Sequence, residues 1–147
     1  MGLISSLRIS TSALLAQRLR MDVIANNVAN VNSTRGEDGL PYRRQSVLFR
    51  AQGATSSFGD ILGRATGSSR PGGVEVASIH QDTSAPRKVQ DPTHPDADAE
   101  GYVYLPNIDV TAEMTDLVGA SRAYQASVTV INATKAIAQS ALEIGRR

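Results

Sequence analysis

The residues that break helices are confined to the middle of this 147-residue chain. All six prolines lie between Pro41 and Pro106, and nine of the twelve glycines lie between Gly36 and Gly101. Proline removes a backbone donor from a helix, and glycine loses more conformational freedom on folding than any other residue. Long helices are therefore expected only at the two ends. The chain divides into an N-terminal helical segment (1–34), a β-rich domain with loops (35–106) and a C-terminal helical segment (107–147) that pairs with the first.

The C-terminal segment carries a heptad pattern over more than four heptads. One column contains Val110, Leu117, Tyr124, Ile131 and Ala138, and a second contains Met114, Ser121, Val128, Lys135 and Leu142. A third column of Val130, Ile137 and Ile144 widens the apolar stripe near the end. The pattern predicts a helix over 109–144 that is about 50 Å long. One short chain has little other apolar surface to cover this stripe, so we expect burial against other chains. A core helix of a bundle is the alternative.

The N-terminal segment shows a weaker heptad pattern, which predicts a helix over 5–31. Leu7, Leu14, Met21 and Val28 form one column, whereas the neighbouring column includes the polar Ser10 and Gln17. Further apolar residues lie on the remaining faces, which is typical of a helix with several neighbours. The candidate interface residues for assembly are Leu7, Leu14, Met21, Ile24 and Val28 in the first helix, with Val110, Met114, Leu117, Tyr124, Val128, Ile131, Ile137 and Leu142 in the second.

The predicted fold class is α+β, with the two long terminal helices packed as a coiled-coil-like hairpin and a small β-rich domain inserted between them. Within the middle, strands are predicted over 42–50, 73–79, 87–90 and 101–105, the last being "GYVYL" between Gly101 and Pro106. A helical turn is predicted within 57–64. The composition of 63–73 predicts a flexible loop.

The sequence contains no constellation of residues that supports catalysis or cofactor binding. Net charge is only +1 and cysteine is absent, so neither a nucleic-acid surface nor a thiolate site is indicated. The only histidines, His80 and His94, are not spaced as metal ligands. Residues 96–101 resemble half of a calcium loop, but the twelfth position would be Asn107, which favours a solvated acidic turn. We therefore expect no enzyme activity, catalytic residue, cofactor, metal or small-molecule substrate.

The first helix is predicted to end in "ANNVANVNST" (25–34), which contains four asparagines. Asparagine is a mediocre helix former, so the presence of four asparagines at the end of a helix requires an explanation. They could cap the helix end, or a buried amide could fix the register between helices. The stretch resembles a signature of the flagellar rod and hook family, at Ala25, Asn26, Asn27, Val28, Ala29 and Asn30. Similarity continues at "DGLPYRR" (38–44), "DPTHPDADAEGYV" (91–103), "LPNIDVTAEMTDLV" (105–118) and "SRAYQASVTVINATKAI" (121–137), and is weakest over 51–73.

This resemblance implies a structural subunit of the proximal rod in the basal body of the bacterial flagellum. Such subunits leave the cytoplasm through the flagellar type III export apparatus. They assemble with copies of themselves and with other rod proteins in the cell envelope, into the drive shaft that transmits motor torque. Two other classes remain as alternatives. One is a peripheral membrane protein anchored by its N-terminal amphipathic helix, through Leu3, Ile4, Leu7 and Leu14; the other is a small enzyme in the β-rich domain.

Overall fold

The computed structural model describes residues 2–36, 39–52 and 72–145, and it contains two long helices that flank a small antiparallel β region. The elements are α1 (Leu3–Ala29), β1 (Gln45–Ala51), β2 (Val74–Gln81), β3 (Arg87–Gln90), β4 (Tyr102–Leu105) and α2 (Val110–Ile144). The α+β prediction is confirmed, and the observed bounds lie within a few residues of those expected. The predicted helical turn at 57–64 and nearly all of the loop at 63–73 lie outside the described residues.

Both ends of α1 are closed by local hydrogen bonds. At the start, the carbonyl of Gly2 accepts from the backbone N–H of Ser5 at 3.0 Å and from its hydroxyl at 2.6 Å. At the end, Asn30 donates to the carbonyl of Asn26 from both its backbone N–H (3.1 Å) and its side-chain amide (2.9 Å). These bonds satisfy backbone groups that a helix end leaves without partners.

Helix α2 begins at a side-chain cap and runs for 35 residues. The carboxylate of Asp109 accepts from the backbone N–H groups of Thr111 (2.9 Å) and Ala112 (3.4 Å). Aspartate is a preferred residue at this position because it satisfies free N–H groups and its charge opposes the helix dipole. The helix stops at Gly145 after a length of about 52 Å.

The two helices are antiparallel and pack along their length. Asn27 of α1 bonds to Glu113 of α2, and Arg20 pairs with Asp116. Earlier residues of α1 therefore lie beside later residues of α2, as expected for antiparallel helices. The buried residues of the pair are Ala16, Val23, Ile24 and Asn27 in α1 with Glu113, Ala120 and Thr134 in α2. The most buried side chains of α2, Glu113, Ala120 and Thr134, are small or polar. Glu113 directly precedes Met114, so these residues form a heptad column next to the predicted one. The bulky apolar side chains flank this contact or face away from it.

Helix α2 extends past the start of α1. The register set by Asn27 and Glu113 places the first turn of α1 beside about residue 135 of α2. The last two turns of α2 accordingly have no helix beside them within the described part of the chain, and residues 139–145 are all exposed.

The middle contains two separate antiparallel ribbons. β1 pairs with β2 from Gln45 opposite Gln81 to Ala51 opposite Val74, with a bulge at Leu48 and Phe49. β3 pairs with β4. Two-stranded ribbons are marginal by themselves and need a surface to pack on. For the first ribbon that surface is α1.

One contact docks the first ribbon on α1. The hydroxyl of Ser12 accepts from the backbone N–H of Val74 at 3.0 Å and donates to the carbonyl of Ile9 at 2.7 Å. Gly73 is buried at this point, and a Cβ atom there would collide with the Ser12 side chain. The absence of a side chain at Gly73 allows the ribbon to approach the helix this closely.

Candidate assembly interface

A largely buried cluster, which we call the polar junction, joins α1, α2 and the chain around the start of β1. It consists of Asn27, Tyr42, Arg44, Gln45 and Glu113. The Asn27 side chain is completely buried. Its oxygen accepts from the backbone N–H of Gln45 (2.9 Å) and the hydroxyl of Tyr42 (3.0 Å). Its nitrogen donates to the carbonyl of Gln45 (2.8 Å) and to Glu113 Oε2 (2.9 Å). All four hydrogen-bonding positions of the amide are thereby used.

The second buried member of the junction is a carboxylate. Glu113 is 1% exposed, and its Oε1 contacts both Nε (2.7 Å) and Nη2 (2.6 Å) of Arg44. A buried carboxylate without a partner is strongly unfavourable, so the guanidinium compensates for the loss of water. The position in the first turn of α2 adds a favourable interaction with the helix dipole. Burial, together with the negative charge of Glu113, raises the pKa of the Tyr42 hydroxyl, which keeps it a neutral donor to Asn27.

An outer layer of charge surrounds the junction at the surface. Asp116 lies 3.6 Å from Nη2 of Arg20 and 3.9 Å from Nη2 of Arg44. These groups are partly exposed, and ion pairs of this kind contribute little because water and salt screen them. The specificity of the junction therefore comes from Asn27 and Glu113.

The asparagines of the "ANNVANVNST" stretch have different roles. Asn27 fixes α1 against two other segments, and Asn30 caps the helix. Asn26 and Asn32 are exposed, as are Ala25 and Ala29, whereas Val28 is half-buried. Both physical explanations offered for the stretch thus apply, each to a different residue. No local pattern singles out Asn27, because its partners Gln45 and Glu113 are remote along the chain.

The apolar residues singled out as an interface between chains are mostly incompletely covered. Ile137 is 60% exposed and Leu142 is 74% exposed, and Met114 and Val110 are also exposed. The half-buried members are Leu7, Leu14, Met21, Val28, Leu117, Tyr124, Val128 and Ile131. Ile24 differs, since it is buried within the chain and belongs to the contact between α1 and the rest of the molecule. A single chain therefore leaves Val110, Met114, Ile137 and Leu142 available to neighbours and covers most of the surface of the other members.

Other exposed apolar side chains extend the same surfaces. On α1, Ile4 is 84% exposed, and Leu15 lies three turns later on the same side of the helix. On α2, Val130 and Ile144 are exposed with Ile137, so the whole third heptad column is uncovered. We call Val130, Ile137 and Ile144 the outer stripe. Heptad spacing identified this column, but only the packing of α1 showed that it is left uncovered.

The acidic turn between β3 and β4 is organised by its own backbone. Asp98 accepts from the N–H groups of Tyr102 and Glu100, both at 2.9 Å. The Tyr102 and Glu100 N–H bonds lower the pKa of this carboxyl. Asp96 accepts from the Thr34 hydroxyl at 2.7 Å, which ties the turn to the segment after α1. These contacts give the acidic residues a structural role.

The remaining candidates for chemistry do not come together. His80 lies on β2 opposite Ser46, whereas His94 lies in the acidic turn, where its Nδ1 accepts from the Asp96 N–H at 3.1 Å. Across residues 2–36, 39–52 and 72–145, no group of three histidine or carboxylate side chains is arranged to hold a metal. In the same ranges, neither helix is long and apolar enough to cross a membrane. The features with the clearest functional content are therefore the polar junction and the outer stripe.

Comparison with known proteins gives concordant results along the chain. The family described as "Flagella basal body rod protein" matches residues 7–36, and the family described as "Flagellar basal body rod FlgEFG protein C-terminal" matches residues 99–144. The flagellar basal-body rod protein FlgC of Bacillus subtilis (strain 168) is 48% identical, over 96% of this chain and 97% of the relative.

Further relatives extend this agreement across distant bacteria. FlgC of Borreliella burgdorferi is 45% identical over 98% of both chains. FlgC of Salmonella typhimurium (strain LT2) is 40% identical over 99% of this chain and 100% of the relative. Identity at this level over the full length, together with the two terminal family matches, shows that the chain belongs to the FlgC family of flagellar basal-body rod proteins.

Proposed function

We propose that this chain is a structural, non-enzymatic subunit of the proximal rod, and that it assembles through its terminal helices into the drive shaft of the flagellum. Its partners are copies of itself and other rod proteins. It reaches the cell envelope through the flagellar type III export apparatus and acts in the periplasmic space. Family membership supports the rod function, and the terminal helices supply the physical basis for assembly.

The observation that carries this proposal is the outer stripe. Val130, Ile137 and Ile144 recur every seven residues on one side of α2, and each is exposed in the single chain. Fully burying a side chain of this size is worth about 1.5–3 kcal/mol. Exposed apolar side chains that recur at heptad spacing are typical of a surface that packs on another helix, and a helix in a neighbouring subunit has the matching shape.

The polar junction and the outer stripe have complementary roles in this proposal. The junction holds α1 and α2 in one register by hydrogen bonds and charge, using the first turns of α2. The turns at the other end of α2 remain free for neighbours because α1 does not reach them. A rigid hairpin with an uncovered apolar end is suited to building a tube of packed helices.

The test is Ile137→Asp in a flagellated strain that lacks its own copy of the protein. A carboxylate on the outer stripe would be taken out of water at every subunit contact, so we expect the amount in purified basal bodies to fall at least about tenfold, with loss of swimming. The control is Gln139→Asp, which adds the same charge at an exposed polar position two residues away. Normal rods from Ile137→Asp, or equal loss from the control, would contradict the proposal.

The membrane-anchored alternative receives less support from the structure. Two of its four candidates, Leu7 and Leu14, are half-buried within the single chain, so only Leu3 and Ile4 are well exposed for contact with lipid. That alternative predicts that the purified chain floats with phosphatidylglycerol vesicles. The rod function predicts that it does not.

A further inference from the structure

We propose that Asn27, Tyr42, Arg44 and Gln45 form a preorganised binding site for one carboxylate, that Glu113 is its ligand, and that the terminal helices pair only after residues 42–45 have docked on α1. We call this arrangement the carboxylate lock. It goes beyond the rod function, because it concerns the order in which the parts of one chain come together.

The receptor half of the lock is built from residues close together in the sequence. Asn27 bonds to Tyr42 and to both backbone groups of Gln45, and none of these bonds involves α2. They leave one N–H of Asn27 free to donate, and they fix the backbone at Gln45, next to Arg44, whose guanidinium reaches the same carboxylate. Donors held in position before the ligand arrives bind it with less loss of conformational entropy.

The ligand half of the lock depends on this receptor. The donors reach both oxygens of Glu113, with Asn27 at 2.9 Å from Oε2 and Arg44 at 2.6–2.7 Å from Oε1. Within the described residues, Arg44 is the one cation in ion-pair contact with this buried carboxylate. If α2 packed on α1 before Arg44 arrived, Glu113 would be buried as an uncompensated charge.

The lock also disfavours a slip of α2 by four residues. Such a slip would bring either Asp109 or Leu117 to the receptor. Asp109 is occupied as the cap of α2, accepting from Thr111 and Ala112. Leu117 offers no acceptor for Arg44 or Asn27. The observed register therefore satisfies the receptor better than either of these slips.

The consequence concerns premature pairing. A chain whose middle is still unfolded has two apolar ends but no assembled receptor, so close pairing of those ends would be disfavoured. Once residues 42–45 dock, Arg44 becomes available and the hairpin forms in its assembly-competent register. The charged groups of the lock thus make formation of the helical hairpin depend on the state of the middle region.

The experiment compares R44M, E113Q and the double variant R44M/E113Q, with R50M and R50M/E75Q as matched controls. Arg50 lies on β1 and pairs with Glu75 at 2.7 Å, but both groups are partly exposed. Two quantities are measured for each full-length variant. One is hydrogen exchange of amides 113–120 in the purified chain. The other is the amount in basal bodies, a readout that rests on the proposed rod function.

We expect R44M to lower the amount in basal bodies at least about tenfold and to speed exchange across 113–120, because Glu113 is left buried without its partner. The double variant should recover at least about threefold over R44M, since a neutral glutamine still accepts from Asn27. Both controls should stay within about twofold of the unmodified chain, as expected for an exposed pair.

The lock is overturned if R44M matches R50M in both measurements, or if R44M/E113Q is no better than R44M. The absence of the unmodified chain from basal bodies would overturn the rod function instead. The comparison of hydrogen exchange would then still decide whether the lock exists.

Discussion

At the scale of the residue, the neighbouring asparagines Asn26 and Asn27 have the same side chain but very different surroundings. Asn27 is completely buried and uses every hydrogen-bonding position, whereas Asn26 is exposed and its side chain makes no hydrogen bond to another described residue. The two residues have the same helix propensity. Their contributions to stability therefore differ only through what surrounds them.

Asn27→Ala should lower the free energy of unfolding of the purified chain by at least about 2 kcal/mol, because several buried partners lose a bond at once. Asn26→Ala should change it by no more than about 0.5 kcal/mol. Urea unfolding followed by helical circular dichroism measures both values. Equal effects from the two substitutions would show that the polar junction does not hold the hairpin together.

At the scale of the element, substitution of two glycines by alanine is expected to change stability in opposite directions. Gly73 lies where β2 meets α1, with no room for a Cβ atom beside Ser12. Gly119 lies on the exposed side of α2, where a Cβ atom would meet nothing within 4 Å. The first glycine permits a close approach, while the second only weakens a helix.

Gly73→Ala should destabilise the chain by about 1–3 kcal/mol, since Ser12 must give up its bond to Val74 or the ribbon must move. Gly119→Ala should stabilise it by about 0.5–1 kcal/mol. Thermal unfolding of both variants beside the unmodified chain tests the pair. A neutral Gly73→Ala would mean that the first ribbon is not seated on α1 through this contact.

At the scale of the whole molecule, some apolar residues of α2 lie next to α1, whereas those of the outer stripe are exposed and available to other chains. Ile131 is half-buried beside the helix pair, and Ile137 is exposed on the outer stripe. The same substitution at the two positions therefore separates stability within the chain from assembly between chains.

Ile131→Asp should lower both the urea midpoint of the purified chain and its amount in basal bodies, because it disturbs both kinds of contact. Ile137→Asp should lower only the second. His80→Ala, at an exposed position on β2, should preserve both and so distinguish a structural role from an enzymatic one. A loss of swimming from His80→Ala with normal rods would contradict the structural function, as would unchanged assembly in Ile131→Asp.

The extent of the elements followed from local sequence. Proline and glycine act on the backbone where they stand, so the concentration of both within 36–106 placed the two long helices. Alternation and turn residues likewise located the four strands. The heptad columns showed that both helices carry apolar surface, and the "ANNVANVNST" stretch indicated the family.

Tertiary structure alone decided how those elements meet. Asn27 and Glu113 are 86 residues apart, and no local pattern states that one amide would receive that carboxylate. Heptad spacing also could not tell which column faces α1, because adjacent columns differ only by a rotation of the helix. Ala16, Ala120 and the polar junction lie in the contact with α1, whereas the outer stripe flanks that contact and extends past the start of α1. Sequence thus determined which segments are helical and apolar, whereas the long-range register determined which apolar side chains remain for neighbouring subunits.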